Sequence, residues 1–238
     1  MLSVNRHRDA AGAAVLAGLG GMWILGQLVG SAYADLPLWL QVLAGLVPIH
    51  VCAFVAAVAV LLADSGRRHG PGSLLQRLGF GRANTDGRVS NAYVAGSALA
   101  AFVATAVAVA LCAILLRWLG LPVRGNPLLE AVQQSGEPSA YLALFVAAVV
   151  VAPPVEEFLF REVLFRGLWG SRVFGASILS AALFAAVHGV LVQAPALFGL
   201  ALFLQRLRVR TGSLRASTAV HAIYNLIAVL LLTLAGSG

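Results

Sequence analysis

The sequence predicts an all-α fold, a polytopic bundle of about seven transmembrane helices with a cytoplasmic N-terminus. Three observations carry this expectation. The 238 residues are 60% hydrophobic and only 11% charged, a composition that leaves too few charges to solvate a globular surface. Apolar runs near 20 residues recur along the chain, the length that crosses a hydrocarbon core roughly 30 Å thick. The two-residue alternation of a β-barrel is missing, and helices and closed barrels are the structures that satisfy their backbone polar groups in lipid.

The expected spans are 10–31, 39–63, 91–117, 139–168, 173–189, 191–207 and 216–235. The basic start from Met1 to Asp9 is followed by an apolar run that continues to Gly30, too long for the core of a cleavable signal peptide. All 16 basic residues are arginine, and the formal net charge is +7. With the N-terminus inside, the cytoplasmic side receives Arg6 and Arg8, then Arg67, Arg68, Arg77, Arg82 and Arg88, then Arg161, Arg166 and Arg172, and finally Arg206, Arg208, Arg210 and Arg215. Only Arg117 and Arg124 fall outside. That asymmetry is the positive-inside pattern, so the positive charge reads as topology and not as a nucleic-acid surface. Tyr33, Trp39, Tyr93, Trp118, Tyr141 and Trp169 fall near span ends, where aromatic belts sit.

Between the spans, residues 64–90 form the one long cytoplasmic loop, with a short surface helix over Leu74–Leu78 at most. Residues 118–138 form an outer loop in which Pro122, Pro127 and Pro138 act as breakers. Gly26 and Gly30 give the first span a small-residue packing face. Cys52 and Cys112 read as small buried apolar residues without a disulfide. His50, beside Pro48 and with no charged neighbour in the sequence, reads as structural.

The polar residues that need an explanation begin at Ala152-Pro153-Pro154-Val155-Glu156-Glu157. Charged side chains inside a membrane span are costly, face the interior and mark function. Adjacent helical residues point about 100° apart, so the two carboxylates cannot serve one site equally. Glu157 and Arg161 are four apart, the favoured order for an ion pair, and Glu162 and Arg166 repeat that spacing. On this reading Arg161 holds Glu157, while Glu156 is left free for chemistry. Glu156 and His188 each lie 16 residues from Arg172, level across a hairpin that turns near Gly170-Ser171-Arg172. Phe184 flanks His188 one turn away, and His221 and Asn225 share one face of the last span. Glu156, His188, His221 and Asn225 can therefore converge in one cavity.

Glu156-Glu157-x-x-x-Arg161, then Phe184-x-x-x-His188, then His221-x-x-x-Asn225 resembles the CAAX-protease and bacteriocin-processing (CPBP, or Abi) intramembrane proteases, which include the type II CAAX prenyl endopeptidases of the Rce1 type. The resemblance covers residues 139–235, a four-span catalytic core after a three-span N-terminal membrane region over 1–138. One departure is Glu162, where family members commonly carry glycine. The composition, with arginine and no lysine, places the chain in the lipid bilayer as a multi-pass protein of the cell membrane with no nucleic-acid partner; the resemblance implies that it hydrolyses a peptide bond of a membrane-associated protein or peptide, CAAX-like or bacteriocin-like. Glu156 would activate water shared with His188, His221 and Asn225 would stabilise the oxyanion, and Glu157, Arg161 and Phe184 would support them. No cofactor is expected. The alternatives are a zinc-dependent protease with Glu156, His188 and His221 as ligands, or a non-proteolytic transporter or immunity protein of the membrane.

Overall fold

A computed structural model describes residues 35–65, 78–81, 89–165 and 173–236. The first span with its glycines, residues 74–77 of the loop, Arg166, Trp169 and the turn at 170–172 lie outside the described residues. Every described element is a helix. α1 runs over Leu38–Ser65, α2 over Asn91–Trp118, α3 over Pro127–Ser135, α4 over Pro138–Leu164, α5 over Val173–Val187, α6 over Ala194–Thr211 and α7 over Leu214–Gly236. α2, α4 and α7 are long and apolar enough to cross a membrane, and α5 is a shorter apolar helix. Each segment expected as a span from residue 39 onward overlaps one of these helices.

Two boundaries differ from the expected ones for reasons that proline explains. The outer loop contains α3, because Pro127 starts that helix instead of breaking one. The Asn126 side chain accepts from the Leu128 and Leu129 amides at 3.0 and 3.3 Å, and proline fills the first helical position, where its missing N–H costs nothing. Gly136, at φ 64°, closes α3, and Pro138 starts α4 in the same way. Likewise α6 begins at Ala194, after a 3₁₀ turn over Leu191–Gln193, with Pro195 in its first turn.

α4 lies at the centre of the bundle. It packs against α1, α5 and α7, while α6 packs against α5, α7 and α2. One buried cluster joins Phe158, Leu159 and Phe160 of α4 to Phe184 of α5, Ala201 of α6 and Leu214 of α7. A second joins Val42 of α1, Val132 of α3, Leu144 of α4 and Val229 of α7. α2 closes a third, with Ala98 against Leu204 and Val220, and turns Leu99, Val103, Val107, Leu111 and Ile114 outward as an exposed apolar stripe. That stripe is what a lipid-facing helix requires.

At one end of the bundle, residues 78–81 are fastened to the α6–α7 turn. The Leu214 amide donates to the Gly79 carbonyl at 2.9 Å, Ser213 Oγ to Gly81 at 2.7 Å and Arg215 Nε to Phe80 at 2.8 Å. Gly79 has φ 81°, and a Cβ there would lie 2.7 Å from Glu162 Oε2. Glu162 itself is buried and pairs with Arg208 Nη2 at 2.5 Å. Arg166, the expected partner of Glu162, lies outside the described residues; the partner seen is 46 residues away, and the departure from glycine at this position places a carboxylate that ties α4 to α6. Cys112 is a half-buried free thiol; the Cys52 side chain lies outside the described residues.

Candidate active site

The site grows from a disturbance in α4. Pro153 and Pro154 remove two backbone donors in succession. The chain takes up the defect as a π-helical turn over Val146–Val151, with a second over Phe158–Leu164 just past the glutamates. Such turns are rare and cluster at functional sites. In the first, the Ala152 amide reaches back to the Ala147 carbonyl, five residues away. The same register would give the Ala148 carbonyl to residue 153, which is proline and has no N–H. Asn225 of α7 supplies the missing donor, with Nδ2 2.7 Å from the Ala148 carbonyl. One of the two Asn225 amide protons is thereby committed to the α4 backbone.

Glu156 and Glu157 leave the helix in different directions, as adjacent residues must. Glu157 is fully buried and Arg161 is 1% exposed; Arg161 Nη2 lies 3.5 Å from Glu157 Oε1. The guanidinium also sits over aromatic faces, 4.7 Å from the Phe184 centroid and 5.8 Å from Phe160. Cation–π attraction is strongest where the cation has lost its water. Phe184 is the hub of the site. Its ring lies 5.1 Å from Phe160, 4.7 Å from His188 and 5.9 Å from His221.

Three histidines surround the pair, two on other helices and one just past the end of α5. His221 of α7 is buried, with Nδ1 3.3 Å from Glu157 Oε1 and Nε2 3.7 Å from Glu156 Oε2. His188, just past the end of α5, has Nδ1 2.7 Å from the Phe184 carbonyl. A carbonyl can only accept, so Nδ1 carries the proton there, and in the neutral ring Nε2 is an acceptor. The His188 imidazole interacts electrostatically with the Glu156 carboxylate. The third histidine is His50 of α1, whose Nε2 lies 2.9 Å from Glu156 Oε1.

Two expectations are overturned by this geometry. Glu156 is not the carboxylate without a partner, because His50 and His221 both face it. His50 is not isolated from charge, because it touches Glu156 across 106 residues of sequence. Neither relation follows a helical spacing, so local pattern could not find them. A signal did exist: a lone histidine in an apolar span is itself costly and asks for a partner. Among the described residues, no group of three or more His, Cys, Asp and Glu side chains is gathered as a metal-binding set.

A bundle of apolar helices around a buried Glu–Glu–Arg–His cluster defines a class, the membrane-embedded proteins that keep ionisable groups for function. Residues 138–227 match the family model described as type II CAAX prenyl endopeptidase Rce1-like, and this part of the chain is similar to that family. The matched segment contains Glu156, Glu157, Arg161, Phe184, His188, His221 and Asn225, while His50 lies outside it. The family is one of membrane proteases that hydrolyse peptide bonds. No curated protein and no solved structure matches the chain.

Proposed function

We propose that the chain is an intramembrane endopeptidase that cleaves a membrane-associated protein or peptide with water activated by Glu156. The observation that carries this reading is the contrast between the two carboxylates. The Glu156 side chain retains 14% exposure and faces histidines from two other helices, whereas Glu157 is sealed. An accessible carboxylate that interacts electrostatically with the His188 ring can share one water with the acceptor nitrogen of that ring. As the water oxygen attacks the scissile carbonyl, its proton passes to Glu156. The C–N bond then breaks, and the amine nitrogen leaves with the proton that Glu156 returns. Glu157 accepts from His221 Nδ1, which fixes that ring. The second amide proton of Asn225, and the Nε2–H of His221 when that ring carries both protons, are the donors available to the developing oxyanion. No step passes through a metal.

Purified protein in liposomes, given a farnesylated, fluorescence-quenched peptide ending in Cys-aliphatic-aliphatic-X, tests this. Cleavage should persist after treatment with a strong chelator and fall by about 1,000-fold in Glu156→Gln. Stoichiometric zinc by mass spectrometry, with activity lost on chelation and restored by zinc, would overturn it. The arginine asymmetry supports a seven-span, cell-membrane topology with the N-terminus in the cytoplasm. Reporter fusions at residues 75 and 238 should report opposite sides, and a cytoplasmic signal at both would sink the seven-span arrangement.

A further inference from the structure

We infer that His50 is a positioning residue for Glu156, so that the catalytic unit takes in α1 as well as the family-matched segment. The inference rests on the reading of Glu156 as the base. His50 is 7% exposed, with Nε2 2.9 Å from Glu156 Oε1. An ionised carboxylate only accepts, so the imidazole donates through Nε2–H. The contact lies beside a second tie between the same two helices. Phe54, one turn after His50, has its ring 5.6 Å from that of Phe158, two residues after Glu156. The ring pair fixes the level of α1 against α4, and the level of α1 fixes which side chain meets Glu156.

The chemical consequence concerns which carboxylate oxygen works. Glutamate has a flexible stem, and each alternative rotamer removes the base from its water. With Oε1 held by His50, the carboxylate plane is set, and Oε2 turns towards His221, 3.7 Å away, and into the site. A hydrogen bond of this kind is strengthened in a low-dielectric interior. Misplacing a reacting group by about 1 Å costs about 100-fold in rate. His50 itself touches no reacting atom on this account and acts through Glu156.

The test compares His50→Leu with His50→Gln in the full chain in liposomes, using the same farnesylated quenched peptide. His50→Leu removes the donor, and kcat should fall about 100-fold with KM within about twofold. His50→Gln restores an N–H donor at similar reach, and kcat should recover to within about tenfold of the starting enzyme. A purely structural role would lower Tm and folded yield without this rescue of kcat. Unchanged kcat in folded His50→Leu, or equal loss in both variants, would overturn the inference. Glu156→Gln is measured alongside: if it stays active, the base assignment fails whatever His50 does. If the unaltered chain leaves the peptide intact, the proteolytic reading fails on that probe, and the contact is decided separately. His50→Leu, Glu156→Ala and the double variant, compared by Tm, should lose less together than the sum of the two single losses. Strictly additive losses would refute the contact.

Discussion

α2 and α4 are nearly equal in length, and both are apolar enough to cross a membrane, yet they do opposite jobs. In its most apolar window α2 is 11% buried, whereas α4 is 50% buried. α2 runs as an uninterrupted α-helix, and its buried polar residue, Thr105, bonds Tyr224 of α7 at 3.1 Å. α4 carries two prolines, two π turns and the buried Glu157, Arg161 and Glu162. Hydropathy says that both can cross; the polar and irregular residues say which one is surrounded by protein. In a bilayer the apolar face finds lipid as readily as neighbours, so burial follows the groups that lipid will not accept.

The comparison breaks most visibly at Arg161. Arg161→Ala removes the cation from a fully buried carboxylate and should cost about 3–5 kcal/mol, read as a large fall in Tm and folded yield in detergent. Asn225 offers a finer test. Asn225→Ala leaves the Ala148 carbonyl without its donor and should cost about 1 kcal/mol. Pro153→Ala returns a backbone N–H to that carbonyl, so Asn225→Ala should cost less in that background. Equal costs in both backgrounds would show that Asn225 does not cap the proline defect. The smallest effect belongs to α2. Val107→Ala on the exposed stripe should shift stability by no more than about 0.5 kcal/mol, and a loss several times larger would mean that this face is covered by protein.

Most of the helices were legible in the sequence, because apolar length and arginine placement are global signals. The motifs singled out Glu156, Glu157, Arg161, Phe184, His188, His221 and Asn225, and the structure draws these residues around α4. Their partnerships were less legible. Helical spacing found Glu157 with Arg161 because that pair is local. It could not find His50 with Glu156, His221 between two carboxylates, or Glu162 with Arg208, since each depends on how distant helices pack. The prolines were readable as a disturbance before Glu156, but not as the reason for Asn225. That link needed the register of the π turn, in which the amide that should meet Ala148 belongs to a proline.

The central claim is a division of labour between adjacent carboxylates, with Glu156 as the base and Glu157 as the buried brace of Arg161 and His221. Its most direct test is kcat and Tm for Glu156→Gln and Glu157→Gln, measured side by side on folded protein in liposomes. The account predicts that Glu156→Gln loses about 1,000-fold in kcat with little change in Tm. Glu157→Gln should lose Tm and yield by stranding a buried cation, and whatever folds should retain more turnover than Glu156→Gln. A stable, inactive Glu157→Gln beside an active Glu156→Gln would contradict the account and reverse the two roles.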